Sequence, residues 1–325
     1  MPKVTIGLPT FNRAKFLGQT IKLILEQTFQ DFELIVSDDA SADGTARAVS
    51  QFTDSRILYH RNQFNLGIPG NLNKILELSS GEYIVILHDH DIFHKELIER
   101  MVNVMEEHQS VGLVHPGIAW VDDNGSNYSD MIKSFEGVIR GKSIVESILF
   151  GKDFSSPISA CGLVRRNCYE EQGFRFDPRF GFVSDVDMWL RIALHHDVGF
   201  IPESLITCRR RDNDHQYATV NWTYVNWVVD IHRVNIERIY SKNQKRFYSA
   251  LKCWKRKARR HFIRNLFASA ARGDLATFQD GFRYIGTQNV GSMTLIARVV
   301  TKSPITQKLL MQLIKGVAKL KKLLT

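Results

Sequence analysis

Cysteine and long apolar runs are scarce in this sequence. Its 325 residues include four cysteines, Cys161, Cys168, Cys208 and Cys253, and none of them forms a CxxC pair. A chain of this size needs no stapling, so free thiols in a reducing compartment are expected. No window reaches the ~18 uninterrupted apolar residues that a membrane-spanning helix requires. The opening Met1-Pro2-Lys3-Val4-Thr5-Ile6 enters a short apolar run directly, without the longer stretch and small-residue cleavage site of a secretory signal. The expectation is a cytoplasmic protein that does not cross a membrane. Repeats and low-complexity tracts are also absent.

Acid is nearly missing from the last third. From Gln216 to Thr325 there are 21 Lys and Arg against 4 Asp and Glu, a net of +17, so the preceding residues carry −8 of the overall +9. The basic balance therefore belongs to one region. A nucleic-acid-binding module is disfavoured, because the acidic portion would repel a phosphate backbone. With 44% hydrophobic and 24% charged residues, the chain has the balance of a globular protein with a core to bury.

In the first half, short β-branched runs alternate with helical patterns. Strands are expected at Val4–Leu8, Glu33–Ser37, Arg56–His60 and Tyr83–Leu87, and helices at Ala14–Gln27, after Gly44 and at Pro69–Ser79. This is a βαβ rhythm, which implies a parallel sheet covered by helices. Ligands bind such sheets beyond the carboxyl ends of the strands. Those ends carry Pro9-Thr10-Phe11-Asn12, Asp38-Asp39-Ala40-Ser41-Ala42-Asp43-Gly44-Thr45 and His88-Asp89-His90-Asp91. Any one of them alone is ordinary turn chemistry, but three on one edge form a candidate site. From Ser126 to His215 the pattern loosens, with one clear helix at Ser184–His196.

The DDxSxDGT run after Glu33-Leu34-Ile35-Val36-Ser37 resembles the start of the inverting family 2 glycosyltransferases of GT-A fold, the type that builds bacterial surface polysaccharides. The resemblance extends through Gln27–Glu33, Asn65-Leu66-Gly67, Gly81-Glu82-Tyr83-Ile84, Asp91-Ile92 and Ser184–Arg191. It implies an α/β fold, a Rossmann-like mixed sheet with helices on both faces. Residues 1–215 would form the catalytic domain, with 1–125 binding the nucleotide-sugar and 126–215 the acceptor; 216–325 would be a helical, basic region.

The resemblance also assigns roles. Asp39 would accept from the nucleotide base and Phe11 lie against it, within a nucleotide site of Pro9, Thr10, Phe11, Asn12, Asp38 and Asp39; a carboxylate facing a ring N–H makes UDP the expected nucleotide. Asp91, with Asp89, would hold a divalent metal, Mn²⁺ or Mg²⁺. On an extended segment Asp89 and Asp91 would point together and His88 and His90 away. Asp185 would be the general base that takes the proton of the acceptor hydroxyl, although a helix cap is the plainer reading of that residue. Asp187, Arg191, Arg211 and His215 are candidates for substrate or diphosphate contacts, and Arg191 can equally pair with Asp187 one turn back. The competing enzyme reading is a metal-dependent hydrolase using Asp89, His90, Asp91 and His94.

At about 100° per residue, Lys308, Lys315, Lys319 and Lys322 share one arc of a C-terminal helix, opposite Leu310, Leu313, Ile314, Val317, Leu320 and Leu324. A second basic cluster runs from Lys252 to Arg264. Peripheral association with anionic lipid at the inner face of the cell membrane is expected, with packing on the domain or on a second subunit of a homo-oligomer as the alternative. The acceptor would be a saccharide or lipid-linked saccharide.

Overall fold

The computed structural model describes residues 1–121, 127–131, 136–152, 154, 156, 161–209, 222–288, 290 and 292–323. They fall into two units, Met1–Glu146 with Ser156–Arg211, and Ser147–Ser155 with Asp212–Thr325.

The first unit is built on one sheet. β1 (Val4–Thr10), β2 (Phe32–Asp38), β3 (Ile57–Arg61) and β4 (Tyr83–Ile86) run parallel, connected by α1 (Ala14–Leu25), α2 (Thr45–Val49) and α3 (Gly67–Leu78). Val4, Ile6 and Leu8 of β1 and Leu34, Ile35 and Val36 of β2 are fully buried, as expected of strands covered on their faces. Gly7 lets α3 approach β1, since a Cβ there would run into Ile75.

β5 (Ile92–Phe93), α4 (Leu97–Glu107), β6 (Val111–Val121), β7 (Asn127–Met131) and β8 (Gly137–Ile139) follow, then α5 (Gly141–Phe150), β9 (Leu163–Arg165), α6 (Arg166–Glu170), α7 (Ser184–Ala193) and β10 (Asp197–Arg209). The order across the sheet is β3-β2-β1-β4-β9-β6-β10-β5, with β7 beside β6 and β8 beside β10.

The sheet is mixed, because β9 lies antiparallel between β4 and β6. Arg165 pins it there, donating from Nε to the Val111 carbonyl at 2.7 Å and from Nη1 to the Tyr83 hydroxyl at 3.1 Å. The reversal fixes the layout of the edge. Residues that enter β9, beginning with Cys161, lie at the edge where the chain leaves β4.

The second unit is helical over Trp222–Tyr240, Gln244–Arg272, Leu275–Thr287, Ser292–Val300 and Pro304–Leu323. Asn243 caps the second of these by accepting from the Arg246 N–H at 3.1 Å. Gly273, at φ 73°, ends it in the left-handed conformation that favours glycine. Trp254, Phe262 and Phe278 are fully buried. One member of the basic cluster is not on the surface. Lys257 is 2% exposed, donates to the carbonyl of Ile148 at 2.8 Å and lies 5.0 Å from the centre of the Phe154 ring. Its charge serves carbonyls at the end of α5 rather than lipid. All four cysteines are free and buried.

Candidate functional site

The loops after β1 and β2 hold each other in place. The Asp39 N–H donates to the Thr10 carbonyl at 2.9 Å, the Asn12 N–H to Ser41 Oγ at 2.8 Å, and the Ala42 N–H to Asn12 Oδ1 at 2.8 Å. Asn12 and Ala40 adopt positive φ, 53° and 65°, a conformation that costs free energy in residues with a Cβ and is kept where the surroundings impose it.

Most of the DDxSxDG run turns out to be scaffolding. Asp38 Oδ1 accepts from the Ser41 N–H at 2.9 Å and Oδ2 from the Tyr59 hydroxyl at 2.6 Å. Asp43 accepts from the first N–H of α1, at Ala14, at 3.1 Å and from the Thr45 N–H at 2.9 Å, so one carboxylate serves the start of two helices. Asp39 is different. Asn62 Nδ2 and the Leu66 N–H both donate to Oδ1, at 2.9 and 2.8 Å, and Oδ2 takes no partner among the described residues. A buried carboxylate thus offers one free oxygen at the edge where β1 runs into Phe11, which is 46% exposed. Pro9 and Thr10 close β1 against Ser37 and Asp38, and the buried Thr10 hydroxyl has no hydrogen-bond partner among the described residues.

After β4 the chain does not stay extended. The Asp91 N–H bonds back to the His88 carbonyl at 3.4 Å, and the Thr20 hydroxyl of α1 donates to the Asp89 carbonyl at 3.0 Å. The alternation expected for residues 88–91 therefore fails. In a turn, positions i and i+3 meet, and His88 Nδ1 lies 3.2 Å from Asp91 Oδ2. Asp89 Oδ1 is drawn instead to His90 Nδ1 at 3.1 Å. The histidines are not bystanders.

Asp91 is 1% exposed and gathers contacts from three sides. Beside His88, the Arg209 N–H reaches Oδ1 at 3.3 Å, Cys208 Sγ lies 3.6 Å from Oδ2, and His90 Nε2 is 3.5 Å from Oδ1. Burial pushes its pKa up, but the hydrogen bond from His88 and the charges of His88 and His90 outweigh this and leave it below the ordinary carboxylate value. Ligand atoms of His88, Asp91 and Cys161 all lie within 4.8 Å of one another. A divalent cation fits this group.

α7 delivers Asp185. The segment before it is clamped by Asn73 of α3, which accepts from the Phe176 N–H at 2.8 Å and donates to the Phe176 carbonyl at 2.9 Å. Arg191 donates to the Arg175 carbonyl at 2.7 Å and to Asp187 Oδ2 at 2.9 Å, and lies 4.8 Å from the Phe174 ring centre. Asp187, fully buried, and Arg191 are thus an ion pair that braces α7. Asp185 does accept from the Val186 N–H at 2.8 Å, but burial pushes its carboxyl up to about 6, against the opposing effects of that bond and of the His88 charge. The His88 charge lowers the pKa of both Asp91 and Asp185. A carboxylate at about 6 suits proton abstraction near neutral pH.

Arg211 and His215 lie outside the described residues. Cys161, Cys208 and Asn62 carried no signal in the sequence; the reversed strand β9, the end of β10 and the end of β3 bring them to the edge. Cys161 has a φ of 72°. His94, needed for a hydrolase site, is exposed, and its ring accepts from the Glu96 N–H at 3.4 Å.

The mixed α/β sheet with helices on its faces is the fold of the GT-A glycosyltransferases. The sequence matches the Glycosyl transferase family 2 profile over residues 5–173, and the chain belongs to that family. It is 27% identical over 220 residues to the putative glycosyltransferase EpsE of Bacillus subtilis (strain 168), covering 66% of this chain and 74% of that protein. To the GalNAc(5)-diNAcBac-PP-undecaprenol beta-1,3-glucosyltransferase of Campylobacter jejuni subsp. jejuni serotype O:2 it is 32% identical over 206 residues, 55% of this chain and 64% of that one. The crystal structure of S. aureus TarS 1-349 in complex with UDP-GlcNAc superposes with a TM-score of 0.67 at 14% identity, over 98% of this chain and 92% of TarS 1-349. The family assignment gives the hydrolase reading no support.

Proposed function

We propose that the protein transfers a sugar, with inversion, from a UDP-sugar to a hydroxyl of a polyprenyl-diphosphate-linked saccharide. The observation that carries this is that Asp39 and Asp91 follow the carboxyl ends of β2 and β4 on either side of β1, with a cation-ligand group at Asp91. Asp39 Oδ2 accepts from the uracil ring N–H while Phe11 stacks on the base, and residues 1–125 hold the donor. Asp91 and His88 hold a divalent cation, Mn²⁺ or Mg²⁺, which when bound neutralises the departing diphosphate. Asp185 takes the proton of the acceptor hydroxyl as its oxygen bonds to the anomeric carbon, and the bond to the diphosphate breaks with its electron pair leaving on UDP. Residues 126–215 receive the acceptor, and Arg211 and His215 are diphosphate contacts. The names of the Campylobacter relative and of the TarS complex support the acceptor and donor classes. A panel of nucleotide-sugars tested for metal-dependent stabilisation decides the donor: a preference for GDP- or dTDP-sugars would sink the UDP reading.

The two aspartates of the pair should separate cleanly. Asp39→Asn should weaken UDP roughly 10–100-fold, the cost of one charged hydrogen bond of about 1.5–3 kcal/mol, with little change in melting temperature, because the amide oxygen still accepts from Asn62 and the Leu66 N–H. Asp38→Ala should do the reverse, because it frees the Tyr59 hydroxyl and the Ser41 N–H. Isothermal titration and thermal melts on both variants check this, and equal UDP losses in the two would refute the division of roles.

Residues 216–325 provide peripheral attachment to anionic lipid. Among the described residues no helix is long and apolar enough to cross a membrane. Leu295, Ile296, Ile305 and Leu309 are exposed beside Lys302 and Lys308. Replacing Lys308, Lys315, Lys319 and Lys322 by Gln should weaken binding to vesicles containing anionic lipid on the order of 10²–10³-fold, at about 1 kcal/mol per charge. Sedimentation with vesicles reads this, and unchanged binding that is also insensitive to salt would refute it.

A further inference from the structure

The group around Asp91 is softer than a magnesium or manganese site needs. Hard cations take oxygen ligands, and Asp91 with the donor diphosphate supplies them. Here a ring nitrogen and a thiol converge on the same carboxylate. We propose that His88, Asp91 and Cys161 form a mixed nitrogen, oxygen and sulfur site that captures a thiophilic divalent cation of the zinc class, and that its occupancy blocks metal-dependent donor binding. The proposal rests on the reading of Asp91 as the donor's cation ligand.

Three observations carry it. The three ligand atoms lie within 4.8 Å of one another. Tetrahedral zinc, with bonds of about 2.0–2.3 Å, wants its ligands roughly 3.3–3.8 Å apart, and His88 Nδ1 and Asp91 Oδ2 are already at 3.2 Å. Side-chain rotation of roughly 1 Å closes the remainder.

The chain also delivers Cys161 by construction. It stands two residues before β9, is 4% exposed, and holds a φ of 72° as the chain turns into the strand. Sulfur would bind such a cation as the thiolate, its proton passing to solvent.

Selectivity follows from ligand softness. Thiolate and imidazole favour zinc over manganese and magnesium, in line with the general affinity order of divalent metals. Three protein ligands leave one tetrahedral position open. A zinc-class ion engaging the thiolate uses the Asp91 oxygen that the donor's hard cation would need, so the two ions exclude each other.

Cobalt titration of the metal-free full-length protein tests the site without turnover. Wild type should develop a near-ultraviolet sulfur-to-cobalt charge-transfer band that saturates at one ion per chain, and Zn²⁺ but not Mg²⁺ should bleach it. Cys161→Ser should lose the band and bind Zn²⁺ more weakly by at least the roughly 10–100-fold that loss of an outer metal partner costs. Cys208→Ser, whose sulfur lies 3.6 Å from Asp91 Oδ2, should keep it. Absence of the band in wild type, or its persistence in Cys161→Ser, overturns the site. UDP affinity in Mn²⁺ is measured separately. Zn²⁺ should abolish it in wild type and spare it in Cys161→Ser; undiminished UDP binding to zinc-loaded wild type overturns the block. If UDP fails to bind in Mn²⁺ while the cobalt band behaves as stated, the donor reading falls and the thiophilic site stands.

Discussion

Asp185→Asn should lower sugar transfer by roughly 10²–10⁴-fold while UDP affinity stays near that of wild type. The substitution keeps the size of the side chain and an oxygen facing the Val186 N–H, but an amide cannot take the acceptor's proton. The pH profile should carry the same signature. With the carboxyl pushed up to about 6 by burial, kcat/KM should rise as pH increases through that value and level off above it.

Stability should move the opposite way. Burial makes the folded protein hold this proton more tightly than the unfolded chain, whose carboxyl titrates near 3.8. Stability therefore falls as pH rises from about 4 to about 6, and the ionised carboxylate then costs up to ~3 kcal/mol. In metal-free protein, Asp185→Asn should melt higher than wild type at pH 7 and equally at pH 4. Transfer left nearly intact would return Asp185 to a helix cap and shift the search for the base along α7, where Asp187 is already committed to Arg191.

Asp91→Ala should abolish turnover and with it the metal-dependent part of UDP binding, leaving at most the contribution of Asp39 and Phe11. The variant also leaves the Arg209 N–H and His88 Nδ1 without the acceptor they share. Losing a buried acceptor of this kind costs about 1–3 kcal/mol, so a fall in melting temperature should accompany the loss of function. Its pH dependence has a definite sign. The folded-state pKa of Asp91 lies below the ordinary value, so its contribution to stability is present above the unfolded-state pKa and disappears as pH falls through the folded one. Wild type and variant should converge on acidification. Thermal melts across pH and titration of UDP with and without Mn²⁺ check both claims, and equal metal-dependent UDP affinity in wild type and variant would remove Asp91 from the cation site. Asp91→Asn separates the two effects, since it keeps an acceptor for Arg209 and loses the charge.

The first four strands and three helices were legible because each buries its own periodic pattern: β1 and β2 are apolar runs closed by turn residues, and α1 and α3 carry amphipathic spacing. α7 was legible as a helix too, although it ends at Ala193, short of His196. β9 was visible only as the short apolar run Cys161–Val164, and nothing in it shows that it runs antiparallel between β4 and β6. That placement depends on Arg165 reaching Val111 and Tyr83, residues 54 and 82 positions away. The segment Ser147–Ser155 likewise joins the helical unit through partners such as Lys257, more than 100 positions along. Its basic neighbourhood, Lys252 to Arg264, read as a cluster for anionic lipid.

What the sequence determined by itself is the set of groups at the strand ends, because a strand's exit is fixed by where its apolar run stops. The runs that contain Phe11, Asp39 and Asp91 follow from that, and the resemblance to the family singled out those three residues within them. The tertiary structure decided how those groups divide their work. Whether an aspartate in the DDxSxDG run is scaffold or open ligand depends on which N–H groups and hydroxyls reach it, and those come from Tyr59, Asn62 and Leu66. Whether His88 or Asp89 stands beside Asp91 depends on a turn closed by one backbone hydrogen bond and held by Thr20 of α1. Cys161 came to the site by a strand reversal. Each of these rests on contacts between residues far apart in the chain, and local periodicity carries no information about such contacts.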